Sequence, residues 1–250
     1  PLDLVAVLAR HAEERPGAPC LIYEGEEISF GEFAKRTNRV AEALRAHGLV
    51  PGDRVAILAP AAAIFFELLF GCAKAGAIMV PVNSRLSGRE VAEILDDADP
   101  ALIFLADELV CRVPEAMSAR AISTADFAAW RDTAAPAPGA GPVQPGDPVL
   151  ILYTSGTTAQ PKGVVLSHLN LSFLGRMAGE LWSFTAESTN LAAMPLFHIG
   201  GIGWGMLALS QGGRTVLTRT AEPAALLELM RRHAVTHAFL VPTVIQRLVD

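Results

Sequence analysis

The chain has 250 residues, of which 51% are hydrophobic and 18% are charged, and its formal net charge is −6. A chain of this length and composition can bury a sizeable core without disulfides or metals. The acidic balance argues against a surface for nucleic acid or anionic membranes, because such a surface needs an excess of Lys and Arg.

Cysteine usage and hydropathy indicate the compartment. Cys20, Cys72 and Cys111 lie far apart among apolar neighbours, so we expect buried thiols in a reducing compartment. The most apolar stretch, residues 55–79, is interrupted by proline, glycine and charged residues. Since a membrane span needs about 20 mostly uncharged apolar residues, this stretch predicts buried core. We therefore expect a cytoplasmic protein without a transmembrane segment.

Apolar patterns and turn signals predict alternating strands and helices in the first half of the chain. The predicted strands are residues 20–23, 27–30, 55–58, 78–82 and 101–105, and the predicted helices are residues 4–15, the segment between Ser29 and Gly48, residues 62–75 and residues 87–97. Ser29 with Glu32, and Ser87 with Glu90, have the spacing of a capping box.

A segment rich in Pro and Gly, residues 133–148, predicts a surface linker between a first region, 1–132, and a second region, 149–250. In the second region we predict strands at residues 149–153, 164–166, 191–194, 215–218 and 238–241, and helices from Ser167, over 223–233 and from Pro242. No internal repeat is visible. The half-built apolar face of the last helix suggests a truncated chain or part of a longer protein.

The alternation of strands and helices predicts the fold class. We expect an α/β fold with layered, mostly parallel sheets and helices on both faces, because parallel strands need crossover connections that cover the sheet.

A polar loop follows the predicted strand 149–153. Residues 153–163 read Tyr-Thr-Ser-Gly-Thr-Thr-Ala-Gln-Pro-Lys-Gly. Small residues let backbone N–H groups approach an anion, hydroxyls add donors, and Lys162 supplies positive charge, which together suit a polyphosphate. The Walker A spacing is missing, and a strand is predicted to follow. The alternative is a flexible surface loop with a solvated lysine, which composition alone favours.

The order of residues in this loop resembles the phosphate-loop signature of the adenylate-forming enzymes, which include acyl-CoA synthetases, luciferases and the adenylation domains of peptide synthetases. The similarity extends to residues 51–58, 73–77, 81–86, 167–170 and 195–198. It implies the N-terminal part of an AMP-forming acyl-CoA ligase that uses a carboxylic or fatty acid, ATP, Mg²⁺ and coenzyme A.

The resemblance also implies roles for individual residues. The ATP phosphates would be held by Thr154, Ser155, Gly156, Thr157, Thr158 and Lys162. Mg²⁺ would come with ATP, with Thr158 as a candidate protein ligand, so no metal site made by protein alone is expected. The family usually has Gly where this chain has Ala159, and a positive φ there would cost Ala about 1 kcal/mol.

A second segment, residues 194–204, places an aromatic residue and a His between a strand end and a glycine-rich turn. By resemblance, Phe197 and His198 match the segment that lines the acyl side of the site, with Gly201 and Trp204 as further pocket residues. Apolar walls from Phe197, Ile199, Ile202 and Trp204 would suit an acid with an apolar tail. Helix packing explains Trp204 and the glycines equally well. The remaining histidines show no metal-binding spacing.

Motifs from later parts of the family do not occur: the Tyr-Gly-x-Thr-Glu segment, the ribose-binding Asp, the hinge and the catalytic Lys of the C-terminal domain. We therefore expect no catalytic residue in this chain and no complete adenylation by it alone. The alternatives are a non-catalytic ATP- or acyl-binding module and an interaction protein with a relict loop. Among complete enzymes, a peptide-synthetase adenylation domain is the second candidate. A homo-oligomer is compatible with the sequence, which does not identify the acid.

Overall fold

Strand-forming and helix-forming runs alternate along the chain, and the computed structural model describes residues 4–133, 143–154 and 161–249. These residues form two compact units. Unit 1 contains residues 4–34, 61–63 and 170–249, and unit 2 contains the described residues of 35–60 and 64–169. The boundaries of these units differ from those of the predicted regions 1–132 and 149–250. The division of the chain into those two regions stays a prediction.

The helices are α1 (Leu4–Glu14), α2 (Phe30–Ala46), α3 (Ile64–Ala75), α4 (Gly88–Ala98), α5 (Phe127–Thr133), α6 (His168–Trp182), α7 (Ile199–Ser210), α8 (Pro223–Arg232) and α9 (Pro242–Val249). Two 3₁₀ helices cover Asp107–Arg112 and Glu115–Arg120. Within the described part of the chain, no helix combines the length and the apolar character that a membrane crossing requires.

The strands are β1 (Pro19–Tyr23), β2 (Glu26–Ser29), β3 (Arg54–Leu58), β4 (Ile78–Pro81), β5 (Leu102–Leu105), β6 (Ala121–Ser123), β7 (Pro148–Thr154), β8 (Lys162–Ser167), β9 (Thr189–Ala192), β10 (Arg214–Leu217) and β11 (His237–Ala238).

The sheet of unit 1 has the order β11-β9-β10-β1-β2, in which only β2 runs antiparallel to its neighbour. β1 and β2 are joined by a tight turn in which Glu24 and Gly25 have φ values of 49° and 85°. Positive φ at both central residues is what a two-residue type I′ hairpin turn requires. Glu24-Gly25-Glu26 between two apolar runs is a hairpin signal in the sequence, and the structure confirms the predicted hairpin.

Alternation along the central strands separates two cores in unit 1. Leu191 and Val216 are buried with Leu226 of α8 on one face. The preceding residues, Asn190 and Thr215, point to the other face, where their side chains donate hydrogen bonds to carbonyl groups of α7. Helices therefore cover both faces of this sheet, as expected for parallel strands.

The sheet of unit 2 has the order β6-β5-β3-β4-β7-β8, in which only β8 is antiparallel. Its central strands β3, β4 and β5 are almost entirely buried, and α3 is buried along nearly all of its length. Ser87 and Glu90 form the predicted capping box at the start of α4, with both reciprocal hydrogen bonds present.

The two sheets repeat one topology that the sequence does not reveal. In each unit a central strand leads through a helix to its neighbour on one side, and a second helix then leads back to the strand on the other side. The order β5-β3-β4 in unit 2 thus matches β11-β9-β10 in unit 1. An antiparallel hairpin extends each sheet beyond this trio, β7–β8 in unit 2 and β1–β2 in unit 1.

Most predicted elements are confirmed within a few residues, and the differences have physical causes. Helix α7 replaces the predicted glycine-rich turn, because burial against the sheet overrides the low helix propensity of glycine. Residues 106–133, for which no element was predicted, contain β6, α5 and both 3₁₀ helices. The prediction that all three thiols are buried is wrong for Cys111, which lies exposed in the first 3₁₀ helix.

Candidate functional site

Both segments that sequence analysis selected follow a parallel strand at its carboxyl end. The polar loop follows β7 in unit 2, and residues 194–198 follow β9 in unit 1. Ligands of open α/β sheets bind outside the carboxyl ends of the strands, where loops and helix N-termini converge. Thr154 at the end of β7, and residues 194–198 after β9, therefore lie at the edges of their own sheets where a ligand is expected.

The hairpin β7–β8 brings two of the candidate phosphate ligands together. In its register Thr154 lies directly opposite Lys162, although eight positions separate them in the sequence. Directly opposed residues project to the same face, with Cβ atoms about 4.5–5.5 Å apart. Both side chains are exposed. A hydroxyl and an ammonium group thus stand side by side where the loop begins and ends.

Lys162 is electrostatically available at this position. Among the described residues, no carboxylate oxygen lies within 4.0 Å of its ammonium nitrogen, so Lys162 makes no ion pair there. An ammonium group on a flexible stem, without a bound carboxylate, can neutralise an incoming phosphate. The geometry at the mouth of the hairpin therefore fits an anion.

Gly163 and Tyr153 fix the shape of the hairpin next to its open end, where Thr154 and Lys162 lie. A Cβ atom at Gly163 would lie 2.9 Å from Cγ2 of Ile151 and 3.1 Å from Cζ of Tyr153, so the Tyr153 ring lies close over the glycine backbone. The Tyr153 hydroxyl donates to Oδ2 of Asp97 on α4 at 2.5 Å. Burial, and then the hydrogen bond to Asp97, raise the pKa of the Tyr153 phenol. The ring thus ties the hairpin to helix α4.

Four further residues that are predicted to hold the ATP phosphates lie outside the described residues, and so does Ala159. The four are Ser155, Gly156, Thr157 and Thr158. Their roles, and the effect of Ala159, stay predictions.

In unit 1, Phe197 and His198 lie at the turn between β9 and α7. Phe197 is buried, whereas His198 is exposed and occupies the N-cap position of α7. The two rings meet edge to face, with centroids 4.6 Å apart. A buried aromatic ring thus supports an exposed imidazole at the carboxyl edge of the sheet, where it can meet a ligand.

Gly201 is buried in the first turn of α7 and has a clear packing role. A Cβ atom there would lie 2.0 Å from the carbonyl oxygen of Pro195, which is a backbone contact that no rotamer change can relieve. The glycine lets the helix begin directly against the preceding turn. Its role as a pocket residue stays a prediction.

Trp204 lies on α7 within an aromatic cluster of unit 1. Its ring centroid is 5.6 Å from those of Trp182, Phe184 and Phe239. The Trp204 indole nitrogen is buried without a hydrogen-bond partner in the described residues. Helix packing, one of the two interpretations left open by the sequence, accounts for these contacts.

The family model for AMP-binding enzymes matches residues 8–250. The chain belongs to the AMP-binding enzyme family. It is 37% identical over 257 residues to a fatty acid–[acyl-carrier-protein] ligase of Streptomyces coeruleorubidus, covering 98% of this chain and 49% of that protein. It is 34% identical over 240 residues to a feruloyl-CoA synthase of an Amycolatopsis species, covering 96% and 48%. The chain therefore spans about half the length of these relatives.

The fold of this AMP-binding enzyme matches a solved structure described as a long-chain-fatty-acid CoA ligase from Rhodopseudomonas palustris. The TM-score is 0.92 at 26% sequence identity, and the match covers 100% of this chain and 65% of the other. The matched structure has the mixed α/β architecture of the adenylate-forming enzymes, so the predicted fold class is confirmed.

One residue at the edge of the unit 1 sheet, Phe239, was not among the candidate site residues predicted from the sequence. Phe239 follows β11, and its side chain is 42% exposed. Its ring lies 2.9 Å from the place where a Cβ atom of Gly200 would be, and it packs against Trp204. The available signal was its place after a parallel strand beside β9, which puts it at the same sheet edge.

The donor groups at the hairpin mouth suit phosphate oxygens better than a metal ion. Thr154 and Lys162 offer a hydroxyl and an ammonium group, and an ammonium is no metal ligand. In the described part of the AMP-binding enzyme, no three or more His, Cys, Asp or Glu side chains are grouped as metal ligands.

Proposed function

We propose that this chain supplies the nucleotide-phosphate and acyl-binding parts of an AMP-forming acid–thiol ligase. The observation that carries the proposal is the pairing of Thr154 with Lys162 across the hairpin mouth, at the carboxyl end of β7. The loop between them contains the Ser, Thr and Gly residues suited to a polyphosphate. Membership of the AMP-binding family supports the same assignment.

In the first step of this reaction, a carboxylate oxygen attacks the α-phosphorus of ATP, and pyrophosphate leaves with the electrons of the broken P–O bond. Lys162 would neutralise charge on the β- and γ-phosphates, while the hydroxyls of Thr154, Ser155, Thr157 and Thr158 donate to their oxygens. Preorganised donors of this kind lower the barrier because they need not reorganise as charge develops. Mg²⁺ bound with ATP would supply further neutralisation, and Thr158 is a candidate residue to hold it.

In the second step, a thiol sulfur attacks the acyl carbon of the adenylate, and AMP leaves. We propose coenzyme A as the thiol, in line with the feruloyl-CoA synthase relative. The phosphopantetheine thiol of an acyl carrier protein is the second candidate, because a relative at 37% identity is named as an acyl-carrier-protein ligase. The acid would be an apolar carboxylic acid whose tail lies near Phe197, His198, Gly201 and Trp204.

The chain alone is not expected to complete adenylation, because it spans about half the length of its relatives. An assay of pyrophosphate release with ATP and a panel of fatty and aromatic acids tests this directly. The full-length polypeptide that carries this sequence should release pyrophosphate with at least one acid, whereas residues 1–250 alone should not.

The phosphate role of Lys162 has a matched control in Lys35, which is also exposed and belongs to the same unit. We expect Lys162→Ala in the full-length protein to weaken ATP binding about tenfold or more, since charge-assisted bonds to phosphate contribute about 1.5–3 kcal/mol. Lys35→Ala should leave ATP binding unchanged. Equal ATP affinity of the two variants, measured by calorimetry, would overturn the phosphate assignment and favour the relict-loop alternative.

We also propose that the protein works in a reducing compartment, the cytoplasm. Cys20, Cys72 and Cys111 are free thiols, and a reducing environment keeps thiols in that state. Fractionation of cells that express the tagged full-length protein would test this location.

A further inference from the structure

A groove in unit 1, distinct from both candidate halves of the active site, lies between helix α8 and the hairpin β1–β2. Its volume is about 330 Å³. Ile22 of β1 and Val216 of β10 form its floor, and Leu229, Arg232 and His233 form the wall on the side of α8. Arg219, after the end of β10, closes one end beside the Glu24–Gly25 turn.

The topological repeat places the hairpin β7–β8 and helix α4 of unit 2 in the positions that β1–β2 and α8 have in unit 1. In unit 2 the Tyr153 ring lies over Gly163, and its hydroxyl bonds Asp97 of α4, so the hairpin β7–β8 is tied to the second crossover helix. In unit 1 the corresponding hairpin and helix α8 have the open groove between them. The shared topology therefore does not explain why this space stays open.

One of the two arginines that line the groove has no carboxylate within ion-pair distance among the described residues. Arg219 is neutralised by Glu24, with Nη2 and Oε1 2.9 Å apart, and its Nε donates to the Tyr23 hydroxyl. Arg232 is exposed and makes no hydrogen bond or ion pair with other described residues, although its charge helps to lower the pKa of Glu228. Glu228 itself is paired with the neighbouring Arg231 at 2.8 Å.

His233 reports the local electrostatic potential. Its pKa is lowered, first by burial and then by the positive charges of Arg232 and Arg214, while Glu27 acts in the opposite direction with a smaller effect. The charges of Arg232 and Arg214 make this wall favourable for an anion. Because Arg232 is the one of these two arginines that lines the groove, and Glu24 and Glu27 are close by, a singly charged ligand suits the groove better than a phosphate dianion.

The small exposed area of the apolar floor limits how much hydrocarbon a ligand can bury there. Ile22 is 2% exposed and Val216 is 1% exposed, so they offer little free surface, and Leu229 contributes part of its side chain. A short hydrocarbon body fits such a floor, with its charged end toward Arg232.

We propose that the groove binds a short-chain carboxylate, with the carboxylate at Arg232 and the hydrocarbon between Leu229 and the floor. In a chain that we assign to a ligase of carboxylic acids, this would be a second, non-catalytic place for the acid. The binding itself does not depend on that assignment, because it requires neither ATP nor the phosphate loop.

Calorimetric titration of the full-length protein with butyrate, at constant ionic strength and without nucleotide, tests the proposal. Butyramide is the matched uncharged ligand, and inorganic phosphate is the matched small anion. We expect saturable butyrate binding with a Kd in the millimolar range, and at least tenfold weaker binding of butyramide and of phosphate. Butyrate binding no tighter than that of either comparison ligand would overturn the proposal.

Two arginine variants locate the binding. Arg232→Gln should weaken butyrate binding at least fivefold, whereas Arg176→Gln, which removes an exposed arginine of unit 1 that is paired with Glu180 outside the groove, should leave it unchanged. Arg232→Glu should reverse the charge preference and bind butylamine better than butyrate. Equal butyrate affinity of the wild-type protein and Arg232→Gln would place the carboxylate elsewhere and overturn the assignment. Loss of pyrophosphate release in Lys162→Ala tests the ligase function separately.

Discussion

In unit 1 the first crossover helix, α7, carries no charged side chain and contains four glycines. In unit 2 the helix at the same topological position, α3, carries Glu67 in its first turn, and only 3% of this residue is exposed. Helix α7 is held by hydrogen bonds from Asn190 and Thr215 to its carbonyl groups, at 2.8 and 2.7 Å. Helix α3 is held by an ion pair, in which Arg131 Nη1 donates to Glu67 at 2.6 Å.

This difference teaches that one topology can be stabilised by different chemistry. Helix α7 lies close to the sheet and to the turn before it, and its carbonyl groups accept hydrogen bonds from the strands. This close packing requires small residues, so α7 tolerates little increase in side-chain volume. A buried ion pair demands that both partners stay, because an isolated buried charge is strongly unfavourable. The two units should therefore respond differently to substitution and to pH.

The largest expected effect comes from Gly201→Ala in α7. The new Cβ would lie 2.0 Å from the Pro195 carbonyl oxygen and 2.7 Å from that of Met194, so the backbone itself must move. We expect the free energy of unfolding to fall by about 4 kcal/mol or more, measured by urea denaturation. Gly200→Ala is the control, because its Cβ would meet only the movable Phe239 ring, at 2.9 Å. Equal losses in the two variants would contradict the argument.

The next effect concerns the ion pair of unit 2. Arg131→Met leaves Glu67 buried, with Arg36 Nη1 3.5 Å from its Oε1, and should lower the free energy of unfolding by about 3 kcal/mol. Replacing both partners, Glu67→Leu with Arg131→Met, should recover most of that loss. A double variant as unstable as the single one would show that the charge itself is not the cause.

Arg131→Met should also change how the free energy of unfolding depends on pH in the acid range. Hydrogen bonds from Arg131 lower the pKa of Asp132 in the folded state. A lowered carboxyl pKa contributes stability above the unfolded pKa, and that stability is lost as the pH falls through the folded pKa. Arg131→Met should therefore make the unfolding free energy less steep with pH below about 4. Unchanged steepness would mean that Asp132 does not sense Arg131.

A smaller effect, in an alkaline pH range, is expected at Lys74 of α3. Burial lowers its pKa to about 8, although Nζ donates to Thr37 and Asn38 at 2.7 Å. Because the unfolded chain then binds more protons than the folded one, stability should rise with pH between about 8 and 10.5 and stay at its lower level below pH 8. Lys74→Met should remove this rise, which amounts to about 1–3 kcal/mol. Lys35→Met, at an exposed site, should keep it.

The smallest expected effect tests the hairpin of unit 2. Tyr153→Phe keeps the ring over Gly163 but loses the hydrogen bond to Asp97, so we expect a loss of about 1 kcal/mol or less at this partly exposed site. Tyr153→Ala also removes the ring and should cost about 1–2 kcal/mol more. If both variants lose equally, the ring contributes nothing to the hairpin. ATP affinity should change little in Tyr153→Phe, which keeps Thr154 and Lys162.

Much of the candidate site could be predicted from the sequence because its residues are local. The order of small residues, hydroxyls and Lys162 in one loop is a property of neighbouring positions, and so is the pair Phe197–His198. Phe239 and the groove beside α8 could not be predicted in this way, since their neighbours come from helices and strands that are remote in the chain. The orientation of Thr154 toward Lys162 required the register of the hairpin.

By itself, the sequence determined the alternation of strands and helices, the capping box at Ser87 and the hairpin at Glu24–Gly25, because periodicity, caps and turns act over a few residues. Only the tertiary structure decided that the glycine-rich segment after His198 is a helix. Its propensity is unfavourable, and burial against β9 and β10 compensates for it. The repeated strand order is also a tertiary property, because it resides in strand pairing and leaves no matching pattern of side chains in the sequence.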